Sequence, residues 1–237
     1  MKVNLLKETF HKLDLTLTDS QVTQFLNYES LLVEWNKHMN LTGITESQAI
    51  YDKHFADSLT CLKTDKIITG AKIIDVGTGA GFPGMPIKIY RPDVEMTLLD
   101  SLNKRINFLK AVADENDING IHFIHGRAED YGQNLDFREQ YDIVVSRAVA
   151  ELPVLLEYCT PFLKVGGYFI AQKGKKCEEE LSLAAHAIEV LNLKVEEVLS
   201  VETSEATKDH YLIVIKKIES TDSKYPRRAG KPIKKPL

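Results

Sequence analysis

The run Ile73-Ile74-Asp75-Val76-Gly77-Thr78-Gly79-Ala80-Gly81-Phe82-Pro83-Gly84 constrains this chain more than any other stretch. Ile73 to Val76 reads as a short buried strand. Three glycines at alternate positions follow, so the backbone can turn sharply and approach a ligand with no Cβ in the way. Pro83 suits the first turn of a helix, where its missing N–H is not needed. Strand, glycine turn and helix start together present backbone N–H groups to a nucleotide-like ligand.

Two cofactors fit such a turn. Gly79-Ala80-Gly81-Phe82-Pro83-Gly84 is a literal G-x-G-x-x-G, the dinucleotide fingerprint. Asp100 closes a second apolar strand, where a carboxylate can grip ribose hydroxyls. An NAD-dependent oxidoreductase is therefore one reading. Against it, the turn begins early, at Gly77, and Asp75 sits in the strand end. The pattern Asp75-x-Gly77-x-Gly79-x-Gly81 resembles the S-adenosylmethionine (SAM) loop of class I methyltransferases.

Periodicity orders the rest. Residues 3–14, a stretch from Thr18 or Asp19 to about Asn40, and residues 46–62 carry helical patterns. Trp35, the single tryptophan, falls on an apolar stripe and reads as a packing anchor. His54 and Asp57 stand three apart and read as a hydrogen-bonded or ion pair, since no further ligands for a metal lie nearby. From residue 71, strand-length apolar runs alternate with helical patterns, the signature of a parallel sheet. Strands are expected at 72–76, 94–99, 121–124, 141–146, 167–172, 194–202 and 210–217, and helices at 83–90, 103–116, 151–163 and 176–191. The last two strands are joined through Thr203, Ser204, Glu205 and Thr207, which leaves room only for an antiparallel return. The expected fold is α/β: a Rossmann-like, seven-stranded, mostly parallel sheet of the class I methyltransferase plan, its last strand antiparallel, with an N-terminal helical extension. The expected units are an extension at 1–62, a SAM-binding domain at 63–218 and a basic tail at 219–237.

Charge adds a partner class. Residues 224–237 hold six basic side chains and no acid, while residues 1–223 carry a net −10. A basic tail on an acidic body suits a polyanion. Its prolines, Pro226, Pro232 and Pro236, disfavour helix and suggest an extended or loose segment. Cys61, Cys159 and Cys177 form no C-x-x-C pair, and neither a signal-peptide core nor a membrane-length apolar run is present. A cytoplasmic monomer without metal or membrane contact is expected.

Ligands of such sheets bind at the carboxyl ends of the strands. Ser146-Arg147-Ala148 at the fourth strand end lacks the Asn/Asp–Pro–Pro–aromatic motif of amine methylation, and no cysteine is placed as in C5-pyrimidine methylation. Ring nitrogens are among the remaining targets. N7 of guanine has a lone pair and no proton, so its methylation needs placement and exclusion of water rather than a base. Arg147 could bind guanine, phosphate or the SAM carboxylate, or simply pair with Glu151.

Five stretches taken together resemble one family: Trp35 to Thr42, His54 to Leu59, the loop ending Gly81-Phe82-Pro83-Gly84, Ser146 to Ala150, and the tail Tyr225 to Pro232. They look like the bacterial 16S rRNA guanine-N7 methyltransferases, also called glucose-inhibited division protein B, and the likeness covers nearly the whole chain. The resemblance implies SAM binding at Gly77, Phe82, Ala128, Glu129 and Arg147, to which the superfamily pattern adds Gly79 and Asp100. It implies a guanosine of the decoding-region hairpin in 16S rRNA as substrate, carried on naked rRNA, the small ribosomal subunit or a precursor. No catalytic base is expected. Candidate RNA contacts are Lys173, Arg227, Arg228, Lys231, Lys234 and Lys235. A SAM- or RNA-binding module without catalysis remains an alternative.

Overall fold

The computed structural model describes residues 1–202 and 207–237. Helix α1 spans Lys2–His11 and α2 spans Asp19–Met39. Thr18 caps α2 through a reciprocal box: Gln21 N–H donates to Thr18 Oγ1 at 3.2 Å, and Thr18 N–H donates to Gln21 Oε1 at 2.9 Å. Asn40 ends the helix in the left-handed region at φ 50°. The next helical run is composite: α3 (Ser47–Ile50), a π turn over Tyr51–Ala56, α4 (Asp57–Leu59) and a 3₁₀ turn over Thr60–Thr64. Such π turns recur at functional sites, and this one carries His54.

The remaining elements alternate as expected. In order they are β1 (Lys72–Val76), α5 (Gly84–Tyr90), β2 (Glu95–Asp100), α6 (Asn103–Glu115), β3 (Ile121–His125), α7 (Ala128–Tyr131), β4 (Tyr141–Arg147), α8 (Leu152–Cys159), β5 (Leu163–Lys173), α9 (Cys177–Leu183), α10 (Ala185–Val190), β6 (Leu193–Ser200), β7 (Tyr211–Lys217) and α11 (Lys231–Lys234). The sheet order is β3-β2-β1-β4-β5-β7-β6, with β1 to β5 parallel and β7 antiparallel to both neighbours. This replaces the second parallel half of a dinucleotide-binding domain. Thr203, Ser204 and Glu205 of the β6–β7 connection lie outside the described residues.

Alternation along each strand feeds two cores. Ile73, Ile143 and Val145 face the side covered by α2, α5 and α6, where Phe25, Tyr28, Phe55 and Phe108 pack. Ile74, Val76 and Val144 face α8 and α10. Trp35 packs on Phe108 with ring centroids 5.6 Å apart. The N-terminal helices thus bury their apolar stripes on the sheet's first face rather than on each other alone. Among the described residues no helix is long and apolar enough to cross a membrane.

Two expectations are corrected. The stretch 176–191 forms two helices that meet at Ala184. The tail is neither loose nor without helix. Arg138 donates to the carbonyls of Tyr225 and Thr221, both at 2.7 Å, and Gln133 donates to that of Pro226 at 2.8 Å. Tyr225 is buried, and Pro232 sits in the first turn of α11, where a missing N–H costs nothing.

Candidate functional site

The glycine loop is held from both strands. Gly77 and Thr78 donate their N–H groups to the Leu99 carbonyl at 2.9 and 3.0 Å. Asp75 Oδ2 accepts from Thr78 Oγ1 at 2.7 Å and from Gly84 N–H at 2.8 Å, so one buried carboxyl ties the two ends of the turn. Burial pushes that carboxyl up to about 7, against these hydrogen bonds. Asp100 Oδ2 accepts from Gly79 N–H at 2.9 Å and Oδ1 from Leu102 N–H at 2.8 Å. Gly77 has φ 72° and Gly79 φ 62°, backbone that side chains rarely adopt. The Tyr28 hydroxyl donates to the Ala80 carbonyl, linking α2 to the loop.

A cavity of about 350 Å³ opens here, lined by Gly77, Asp100, Ala128, Glu129 and Ile233. That size and its mixed polar and apolar walls suit a small ligand. A Cβ on Gly79 would meet nothing nearer than the Gly77 carbonyl oxygen at 4.0 Å, so open space lies beside the loop. These residues could hold the adenosine of SAM, with Asp100 and Glu129 as acceptors. Glu129 Oε1 already accepts from Gly230 N–H at 2.9 Å.

A second cavity of about 730 Å³ lies at the ends of β4, β5 and β7, lined by His54, Asp57, Arg147, Gln172, Lys173 and His210. Arg147 organises it. Its NH1 donates to Asp57 Oδ2 at 2.8 Å and to the Lys53 carbonyl at 2.9 Å, and NH2 lies 3.3 Å from His54 Nδ1. The guanidinium sits 4.9 Å over the Phe82 ring, which stacks on His54 at 4.5 Å. His210 Nδ1 lies 2.7 Å from Asp57 Oδ1. Burial would raise the Asp57 carboxyl, but the His210 hydrogen bond and the Arg147 charge outweigh it and hold the group below its usual value. Burial, reinforced by Arg147, lowers His54 to about 4, so its ring is neutral near pH 7. Nδ1 also lies 3.2 Å from the Lys53 carbonyl, and Nε2 lies 2.8 Å from Thr42 Oγ1. Ala148, at φ 54°, and Val149 line both cavities and separate them.

The sequence-predicted residues divide between these cavities. Gly77, Asp100, Ala128 and Glu129 line the first, and Gly79 joins them through Asp100. Phe82 does not line it; it is buried, stacked beneath the Arg147 guanidinium. Arg147 pairs with Asp57 instead of Glu151, and it bridges His54 and Asp57. Lys173 is not exposed but lines the second cavity. It is 6% exposed, pairs with Glu180 at 2.6 Å and donates to the Ala150 carbonyl at 2.7 Å. Arg227 is likewise engaged: Nε and NH2 meet Glu157 Oε1 and Oε2 at 2.8 and 2.5 Å. Arg228, Lys231, Lys234 and Lys235 are exposed. His210 and Glu157 were missed. A carboxylate inside the otherwise apolar Leu152-Pro153-Val154-Leu155-Leu156 helix was the available signal for Glu157; His210 had none.

Known proteins agree with this architecture. The SAM-dependent methyltransferase from Aquifex aeolicus superposes with a TM-score of 0.56 at 17% identity, covering 72% of this chain and 93% of that one. TrmN from Thermus thermophilus gives 0.54 at 15% identity, covering 71% and 53%. Both show the fold alone. Sequence relatives are far nearer. Ribosomal RNA small subunit methyltransferase G of Alkaliphilus oremlandii is 53% identical over 99% of this chain and 98% of its own length. The protein of the same name from Desulforamulus reducens is 50% identical over 98% and 97%. The model of the GidB family, rRNA small subunit methyltransferase G, matches residues 21–211. With that match and these relatives, the chain belongs to the rRNA small subunit methyltransferase G family.

Proposed function

We propose that this chain is a SAM-dependent methyltransferase of small-subunit rRNA, acting in the cytoplasm on N7 of one guanosine. The observation that carries the reading is the pair of cavities meeting across Ala148 and Val149, one walled by the glycine loop and Asp100, the other by Arg147. Gly77, Gly79, Asp100, Ala128 and Glu129 would hold SAM, which supplies an electrophilic methyl group when bound. Ala148 and Val149 would stand between that group and the base, with Arg147 on the base's side. Arginine has five N–H donors. NH1 spends both of its hydrogens on Asp57 and the Lys53 carbonyl and NH2 faces His54, leaving the Nε–H and the other NH2 hydrogen for guanine or phosphate. Residues 1–62 would act as an extension supplying His54 and Asp57 to a core at 63–218, with 219–237 as a basic tail whose Arg228, Lys231, Lys234 and Lys235 meet phosphates.

The site needs no proton acceptor for this chemistry. Asp57 is held ionised between Arg147 and His210, and both His54 nitrogens have partners. These groups position the base and exclude water, which suits the protonless lone pair of N7. Incubation of methyl-labelled SAM with small-subunit rRNA or subunits, followed by nucleoside analysis, tests the reading. Label in 7-methylguanosine is expected; label in another nucleoside, or none, overturns it. Calorimetry is expected to detect SAM binding and no NAD binding.

A further inference from the structure

The C-terminal segment returns to the first cavity along a defined path. Tyr225 and Pro226 are buried. Arg227 then grips Glu157, whose side chain is 0% exposed, through its guanidinium and through its own N–H at 2.7 Å. Three residues on, Gly230 N–H donates to Glu129 Oε1 at 2.9 Å. Gly230 has φ 79°, and α11 starts directly after it. Pro232 is buried while Ile233 is 64% exposed, yet Ile233 lines the cavity together with Asp100 and Glu129.

Fixed by a buried proline and a buried ion pair, Ile233 offers apolar surface at the rim of the cavity that Asp100 and Glu129 line. A flat aromatic ring suits that surface, because it has a face to cover and an edge that needs acceptors. Glu129 stands in the same cavity and supplies an acceptor at the edge. We infer that residues 225–234 form the outer wall of the adenosine pocket, with Ile233 covering the ring and Gly230 N–H orienting Glu129 toward it. The inference rests on the SAM reading above. Glu157 and Arg227 are positioning residues in it, since they touch the tail and not the ligand. Order in the tail and occupancy of the pocket then support each other, as any two linked equilibria must. The exposed Lys231, Lys234 and Lys235 would be fixed in place by the same event.

Calorimetry with S-adenosylhomocysteine and with adenosine tests this on the full chain and on Ile233→Ala and Ile233→Asp. The exposed position makes both variants safe for folding, and a melting curve checks it. Both ligands are expected to bind Ile233→Ala about fivefold more weakly than the full chain, and Ile233→Asp more weakly still. In methylation assays KM for SAM should rise with kcat unchanged, because the contact is the same before and during transfer. Saturating S-adenosylhomocysteine should slow tryptic cleavage after Arg228 and Lys234 in the unaltered protein. Equal dissociation constants in all three proteins, or cleavage rates indifferent to the ligand, overturn the inference and leave the SAM reading standing. Failure of the unaltered protein to bind S-adenosylhomocysteine removes both.

Discussion

The two cavities are built by different means. The first is lined by the glycine loop and two carboxylates, Asp100 and Glu129, and its loop is fixed by pairs close in sequence: Gly79 and Asp100 are 21 apart, Asp100 and Leu102 two apart. The second is made of side chains from distant segments. Arg147 and Asp57 are 90 residues apart, and His210 and Asp57 are 153 apart. The glycine loop and its Asp100 contacts exist once one βα turn and its neighbouring strand have formed. The second cavity exists only when the N-terminal helices, β4 and β7 have all docked. Substitutions in the second should therefore act mainly through stability, and those at Gly79 and Asp100 in the first mainly through binding.

The largest expected effect is that of Arg147→Ala. It leaves the buried Asp57 carboxylate without its main counter-charge, a loss of about 3–5 kcal/mol for such pairs. Thermal melting should show it, with methyl transfer abolished. Equal stability to the unaltered protein would mean that the second cavity does not depend on long-range pairing. Next comes Gly77→Ala. Its Cβ would lie 2.5 Å from Val149 Cγ2 at a backbone φ of 72°. The strained φ alone costs about 1–3 kcal/mol, and the clash adds to it. Gly79→Ala has open space at its Cβ and should melt closer to the unaltered protein while losing SAM affinity. The reverse order in paired melting and calorimetry would sink that division.

Asp100→Ala should weaken SAM binding by about 1–3 kcal/mol, because the carboxylate fixes Gly79 and lines the cavity. Calorimetry reads this, and an unchanged dissociation constant in a folded variant removes Asp100 from the pocket. The smallest effect is a pH dependence of the second cavity. His54 stays neutral in the fold down to about 4, whereas in the unfolded chain it takes up a proton near pH 6.5. Acid then favours the unfolded chain. Stability should fall as pH drops from about 6.5 toward 4, by about 1 kcal/mol between pH 6.5 and 5.5. Asp57, held low, loses its contribution as pH falls through its own folded value. Denaturant titrations should show the His54 slope, and His54→Asn should flatten it.

The same difference explains what the sequence disclosed. β1 and its glycine loop were legible because one short run of residues specifies them. All seven strands could be located because apolar runs and their spacing are local properties. His210 could not be found, because its importance lies in a carboxylate 153 residues away. Phe82 was given to SAM by the resemblance, but its stacking neighbours, His54 and Arg147, come from elsewhere in the chain and had no local signal. The tail was legible as charge but not as structure. Positive charge was counted there as if free, although the acceptor for Arg227 is a glutamate hidden in α8.

The wall of Ala148 and Val149 has a kinetic meaning. Among the described residues the two chambers share only Ala148 and Val149, so under the proposed reading nothing loaded into one has to travel through the other. Nucleic acid and cofactor can then arrive in either sequence and depart in either sequence. Initial-rate plots for the two substrates should intersect, and each dead-end product should compete with its own substrate alone. A thicker residue at position 148 or 149 would narrow both chambers together, so an enzyme of this design cannot retune one affinity there without disturbing the other.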